Sequence, residues 1–210
     1  MKKVSKKTID RALLYMRILE GLIKEKRNLI SSGQLADIAQ TSDVQIRKDI
    51  SHFGKVGTPR LGYNTKELKK ILEDFILQEN VVRVVLFGVG NLGTAIIKYP
   101  GFHKGKVKMI AAFEKDAQKI GKKINNLTIY PIERAPEVIR KTKAHIGIIA
   151  VPKEYAQEVA DLIVLSGLRS IINFAPESIT VPKNVLVKDI DLTIEFLSLF
   201  CNTQRVKNDS

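Results

Sequence analysis

Between Ile9 and Ile23 apolar residues return every three or four positions: Ile9, Leu13, Met16, Leu19 and Ile23, with Leu14, Ile18 and Leu22 widening the stripe. That period predicts a helix over Lys7 to Lys26 with this stripe buried. Ser31 and Gln34 then stand at capping-box spacing and open a second helix to about Ala39, burying Leu35, Ile38 and Ala39. Ser42 and Gln45 repeat the spacing. They start a third helix, Asp43 to about Phe53, which buries Val44, Ile46 and Ile50 or Phe53. Three glycines and a proline within residues 54–63 argue against helix and fit a short β-ribbon carrying Lys55 and Arg60. A fourth helix is expected from Asn64 to about Asn80, with Leu68, Ile71, Leu72, Phe75 and Ile76 inward.

From residue 81 the pattern changes to continuous apolar runs alternating with helical ones. Strands are expected over Val81 to Phe87, Val107 to Phe113, Leu127 to Tyr130, His145 to Pro152, Ser170 to Pro176 and Asn184 to Lys188. Helices are expected after the Gly88–Gly93 turn, through Lys141, around Ala156 to Val164, and from Asp189 to Phe200. Repeated β-α units predict a doubly wound parallel sheet, with ligands beyond the carboxyl ends of its strands. The last helix is apolar on most sides, so it needs burial on more than one side, which a partner subunit would supply. The fold class is therefore α/β: an N-terminal winged helix-turn-helix over residues 1–80, a Rossmann-type sheet over 81–189 and a C-terminal dimerisation segment over 190–210.

Residues 88–93 read Gly-Val-Gly-Asn-Leu-Gly between a strand and a helix, and Glu114 ends the next strand. Gly88 permits the tight turn, Gly90 lets a pyrophosphate approach the backbone, and Gly93 lets the helix pack close to the strand. Glu114 lies at the spacing expected of an acid that accepts from ribose hydroxyls, which favours NAD(H) over NADP(H). Val89, Asn91 and Leu92 complete the turn. Val151-Pro152 and Asn173-Phe174-Ala175-Pro176 lie at further strand ends, where Val151, Pro152, Asn173, Ala175 and Pro176 are candidates for the nicotinamide half of the site.

The formal net charge is +13, and residues 1–70 hold 16 Lys and Arg against 7 Asp and Glu, so most of the excess sits in the first third. That asymmetry points to a polyanion met by the N-terminal part. Ser42, Gln45, Arg47, Lys48, Ser51 and His52 lie off the apolar face of the third helix, and these types suit bases and phosphates. Lys55 and Arg60 on the ribbon extend the set, with Arg60 suited to a minor groove.

Chemistry beside the cofactor is not evident. No Tyr is followed four residues later by Lys, and His145 begins a strand, at the wrong end for catalysis. His103 falls in a Gly/Lys loop, and Cys201, the single cysteine, leaves neither an internal disulfide nor a cysteine metal cluster. No apolar run approaches the ~20 residues of a membrane span. Arg11 and Arg17 interrupt any signal core behind the basic start, so a cytoplasmic protein is expected. A sensor fits better than an enzyme. An NAD-dependent oxidoreductase or a CoA-binding protein with an appended DNA-binding domain is the alternative.

Four segments together resemble the redox-sensing transcriptional repressor Rex family: Ser42-Asp43-Val44-Gln45-Ile46-Arg47-Lys48-Asp49-Ile50-Ser51-His52-Phe53-Gly54, the glycine turn 88–93, Tyr99-Pro100-Gly101-Phe102 and Asn173-Phe174-Ala175-Pro176. The resemblance implies a homodimer on palindromic double-stranded DNA, with the C-terminal helix swapped between subunits. It implies that NADH binding releases operator DNA while NAD+ permits repression. By motif match it also implies that Arg17, Tyr99 and Asp191 couple nucleotide state to domain arrangement. Two departures stand out. The family wing usually reads Arg-Gly-Val-Gly-Tyr, whereas Pro59-Arg60-Leu61-Gly62-Tyr63 displaces the arginine by one, and Glu114 stands where the family often has Asp.

Overall fold

The computed structural model describes residues 4–58, 61–77 and 81–208. The chain forms two compact units, residues 1–80 and 81–210. Arg60 lies outside the described residues.

The first unit holds α1 (Lys6–Lys24), α2 (Ser32–Ala39), α3 (Asp43–Ser51) and α4 (Thr65–Leu77), with β1 (Leu29–Ile30) antiparallel to β2 (Tyr63–Asn64). Each helix start is built from its own sequence. Ser5 Oγ accepts from the Thr8 N–H, Ser31 and Gln34 close a reciprocal capping box, and Ser42 Oγ accepts from the Gln45 N–H. Asn64 Oδ1 accepts from the N–H groups of Lys66 and Glu67 and so opens α4. Between α2 and α3, Gln40 turns the chain through the left-handed region at φ 51°.

Three burial expectations are corrected here. The buried face of α1 is Thr8, Ala12, Tyr15, Leu19 and Leu22, while Leu13 and Leu14 are 45% and 41% exposed. The inward face is thus rotated from the hydropathy stripe, because the Tyr15 hydroxyl finds a partner in buried Asp49. Val44 and Ile38 are exposed, whereas α3 buries Ile46 and Ile50 as expected and Asp49 beside them. The ribbon is also shorter than expected. Thr58 and Gly62 form one isolated bridge, and the paired strand of this region is β2, held by β1. Fully buried Leu68 and Leu72 anchor α4, and Phe53 meets Phe75 edge to face at 4.8 Å.

The second unit runs β3 (Val82–Phe87), α5 (Asn91–Lys98), α6 (Gly101–Lys104), β4 (Val107–Glu114), β5 (Lys123–Ile124), β6 (Leu127–Pro131), α7 (Ala135–Thr142), β7 (Ile146–Ile149), α8 (Ala156–Leu165), β8 (Ser170–Asn173), β9 (Leu186–Asp189) and α9 (Leu192–Asn208). The sheet order is β5-β6-β4-β3-β7-β8-β9, parallel except for the short edge strand β5. Central β3 is buried on both faces, which is why its sequence is almost unbroken in apolar residues. Val84 and Leu86 pack into one core with Ile97, Met109 and Ile148, while Val85 and Phe87 pack into the other with Phe113, Ile149 and Val159. The strand order reverses between β4 and β7 around β3, and that reversal opens a crevice beyond the strands' carboxyl ends.

In α9, Ile194, Phe196, Leu197, Leu199 and Phe200 are all exposed. Among the described residues no helix is long and apolar enough to cross a membrane.

The rotated face of α1 gives a direct test. Leu19→Ala is expected to cost about 2–5 kcal/mol in chemical denaturation, because it empties a fully buried site. Leu13→Ala is expected to cost less than about 0.5 kcal/mol.

Candidate functional site

At the end of β3 the chain turns through Gly88 at φ 92°, a conformation that L side chains rarely adopt. A Cβ on Gly88 would collide with the Ala150 carbonyl at the end of β7, and one on Gly93 would strike the Gly88 carbonyl. Both glycines are therefore required by the protein's own packing. Gly90 differs: it is the N-cap of α5, makes no side-chain cap bond, and has open space around its Cβ position. The helix start presents free N–H groups and its positive dipole end to that space, a ready seat for an anion.

Glu114 closes the other side. Its carboxylate accepts the N–H of Val89 at 2.8 Å, of Lys115 at 2.7 Å and of Asp116 at 3.2 Å, with Lys119 Nζ at 3.8 Å. Burial alone would raise its pKa, but these backbone donors and Lys119 outweigh that and hold it below the usual carboxylate range. Glu114 is thus an ionised acceptor beside the glycine turn.

A cavity of about 390 Å³ lies between these groups, lined on its polar side by Gly88, Gly90, Glu114 and Lys115, and on its apolar side by Phe113, Ile132, Val151, Pro152, Tyr155 and Val159. Lys115 Nζ sits 4.9 Å from the Tyr155 ring centroid and 2.9 Å from Glu158 Oε1, which fixes the aromatic wall. An apolar slot beside an ionised acceptor and a bare helix start suits a flat heterocycle joined to a hydroxylated sugar and a phosphate.

Several candidate residues lie elsewhere. Val89 turns its side chain into the core and contributes only its N–H to Glu114. Asn91 and Leu92 are exposed in the first turn of α5. Asn173 is buried and committed: Nδ2 donates to the Glu177 carbonyl and Asp189 Oδ1, and Oδ1 accepts from the Ala175 N–H. Asn173 thereby ties β8 to β9. Ala175 is buried in the core and Pro176 is exposed, and none of these three lines the cavity. Sequence reasoning in turn missed Tyr155, Ile132, Asp116 and Lys119, which come from loops and turns with no motif to mark them.

In the first unit α3 carries Arg47, Lys48, Ser51 and His52 exposed, with Ser42 at its cap and Lys55 beyond it. Arg47 is held by Asp43 at 2.6 Å and by Ser32 Oγ at 3.1 Å, and Ser51 Oγ donates back to the Lys48 carbonyl. Beneath this surface Asp49 is only 1% exposed. Its carboxylate accepts Arg11 Nε at 2.6 Å, Arg11 Nη2 at 2.7 Å, Tyr15 Oη at 2.9 Å and Gln45 Nε2 at 2.8 Å. Burial pushes its pKa up, but the hydrogen bonds from Arg11, Tyr15 and Gln45 prevail and keep it low. Burial and the bond to Asp49 push the Tyr15 hydroxyl well above its ordinary value. Asp49 was visible in the sequence only as one member of a longer motif.

Arg17 is exposed on α1, beside a groove that also includes Leu14, Glu25 and Ile38. Tyr99, 60% exposed after α5, packs edge to face on Phe102 at 5.6 Å, and Asp191 Oδ1 accepts the Thr193 N–H at 2.8 Å at the start of α9. Among the described residues no group of three or more His, Cys, Asp or Glu is placed to hold a metal ion.

Residues 3–51 match a family described as "Putative DNA-binding protein N-terminus", and residues 79–177 match the CoA binding domain family. The chain is 43% identical over 200 residues to the redox-sensing transcriptional repressor Rex of Pelotomaculum thermopropionicum, covering 95% of this chain and 94% of that one. This chain belongs to the Rex family. Two solved structures of RSP are also similar at 32% identity over 100% of the chain. One holds β-NAD+ and operator DNA, with a TM-score of 0.85 and 95% of its chain covered, and the other holds β-NADH, at 0.84 and 97%. The helical first unit followed by a parallel-sheet unit is thus the Rex architecture.

For this Rex chain Gly93 and Gly90 should separate by experiment. Gly93→Ala is expected to lower stability by more than about 2 kcal/mol, because the Gly88 carbonyl must move. Gly90→Ala is expected to leave the thermal midpoint within about 2 °C, since nothing in the protein occupies that space.

Proposed function

We propose that this chain is a transcriptional repressor that reads the NADH/NAD+ ratio and works in the cytoplasm as a homodimer on a palindromic operator. Residues 1–80 meet DNA, residues 81–189 hold the dinucleotide, and residues 190–210 pair subunits through the apolar face of α9, swapped onto the partner. The observation that carries this reading is one chain joining an ionised strand-end acid and a bare helix start to a capped helix exposing Arg47 and Lys48.

In the cleft the diphosphate lies against Gly88, Gly90 and the start of α5, and Glu114 accepts from the adenosine ribose. Phe113, Ile132, Val151 and Tyr155 flank the adenine, while Pro152, Asn173, Ala175 and Pro176 border the path toward the nicotinamide. On the DNA side Ser42, Lys48, Ser51 and Lys55 serve phosphates, Gln45, Arg47 and His52 face bases, and Arg60 serves the minor groove. Arg17, Tyr99 and Asp191 couple the two. The nucleotide releases DNA only by binding the two arrangements of the dimer unequally, and a coupling of about 1–3 kcal/mol suffices. The cofactor is read rather than turned over, consistent with the relatives' description as repressors.

The match to the CoA binding domain family gives the second reading its support. CoA carries a 3′-phosphate on its adenosine ribose, and an ionised Glu114 repels it there, so NAD(H) is the better fit.

Gel shifts with an operator duplex selected from randomised DNA test the switch. NADH is expected to weaken binding about 5- to 150-fold relative to NAD+, and equal affinity with both would overturn it. Calorimetric titration of Glu114→Ala tests the cleft. NADH affinity is expected to fall about tenfold or more while CoA binding improves, and a wild-type preference for CoA would favour the second reading.

A further inference from the structure

Gln45 and Asp49 stand one turn apart on α3, and their contact restricts what Gln45 can offer to anything outside the protein. An amide side chain has a donor end and an acceptor end, and turning it over reverses the pattern it presents. Asp49 is an acceptor-only carboxylate in the helix floor, pinned by both Arg11 nitrogens and by the Tyr15 hydroxyl. The end of Gln45 that faces it is therefore Nε2, at 2.8 Å. Gln45 cannot turn over without setting Oε1 against a carboxylate. Among the described residues neither Oε1 nor the second Nε2–H of Gln45 makes another hydrogen bond.

We propose that Asp49 is a positioning residue that presets the Gln45 amide, so that α3 offers one fixed acceptor beside one fixed donor to the base edge of an A·T pair. This rests on reading α3 as the helix that meets DNA. The pattern suits adenine, which shows an N6–H donor next to the N7 acceptor in the major groove. An unrestrained glutamine would give up rotamer freedom on binding and would also tolerate other edges. The buried carboxylate removes that freedom beforehand, and Arg11 and Tyr15 on α1 keep the carboxylate itself from moving.

Asp49→Asn tests the effect. An Asn carbonyl in the Oδ2 position keeps Arg11 Nε and Tyr15 Oη, while the amide in the Oδ1 position gives up Arg11 Nη2, faces Gln45 as a donor and turns Gln45 over. Full-length wild type, Gln45→Ala and Asp49→Asn are each run through selection on randomised duplexes. Affinities are then measured for every single base-pair change in the selected site. Wild type is expected to prefer A·T at one position per half-site by about tenfold or more. Gln45→Ala flattens that position, and Asp49→Asn flattens or inverts the same position while the others keep their preferences. Two results overturn the proposal: Asp49→Asn keeping the preference at that position, or losing affinity equally at all positions as a purely structural role would require. Gln45→Ala with no change at any position overturns instead the underlying assignment of Gln45 as a reader, and it does so without reference to Asp49. Should Asp49→Asn fail to fold, relaxation of the wild-type Gln45 side-chain amide decides. An order parameter like that of rigid backbone, about 0.85, is expected, and one in the flexible range below about 0.6 overturns the proposal.

Discussion

The second unit depends on how closely three stretches of backbone approach one another at residues 88, 93 and 150. Gly88 takes a left-handed φ against the Ala150 carbonyl, and Gly93 lets the first turn of α5 come down on the Gly88 carbonyl. Without that approach α5 would lift from β3, and its free N–H groups would no longer open onto the crevice. The same turn aims the Val89 N–H at Glu114, so the position of the acid on β4 follows from a constraint on β3. One local geometry thus fixes both the anion seat and its acidic partner.

The two units keep a carboxylate ionised in different ways. Asp49 is almost fully enclosed and relies on side chains: a guanidinium from α1, a hydroxyl and an amide. Removing a partner from such a buried ion pair typically costs about 3–5 kcal/mol, because the remaining charge is left alone. Glu114 is part-buried and relies mostly on backbone N–H groups, one from Val89 in the glycine turn and two from Lys115 and Asp116 in its own loop, which any residue there except proline would supply. The first arrangement holds helices in register, and the second leaves an acceptor at the edge of a cavity.

Much of this was legible in the chain. The capping spacings of Ser31–Gln34 and Ser42–Gln45 gave the starts of α2 and α3, and the apolar runs gave the central strands. Both signals are local, and local chemistry decides them. The inward face of α1 was not legible, because hydropathy counts Leu13 as core and Tyr15 as marginal. A buried carboxylate thirty-four residues away reverses the ranking. Strands β1 and β5, two residues each, are too short to leave a period. In the cleft the glycines and Glu114 were readable from spacing, whereas Tyr155 and Ile132 reach it only through the strand order. Asn173 stands at a strand end, as its position in the apolar run implied, but nothing local signals that its amide also bonds Asp189 on a neighbouring strand.

The apolar surface of α9 has a consequence in time. A newly made chain carries Phe196, Leu199 and Phe200 in water until something covers them. If the cover is a second copy, the delay is second order in concentration. At an association rate of ~10⁶ M⁻¹s⁻¹ and ~1 nM of chain, the wait is on the order of a thousand seconds. Over such a period chaperones and proteases compete for the same face, so the supply of finished dimers would fall more steeply than the rate of synthesis.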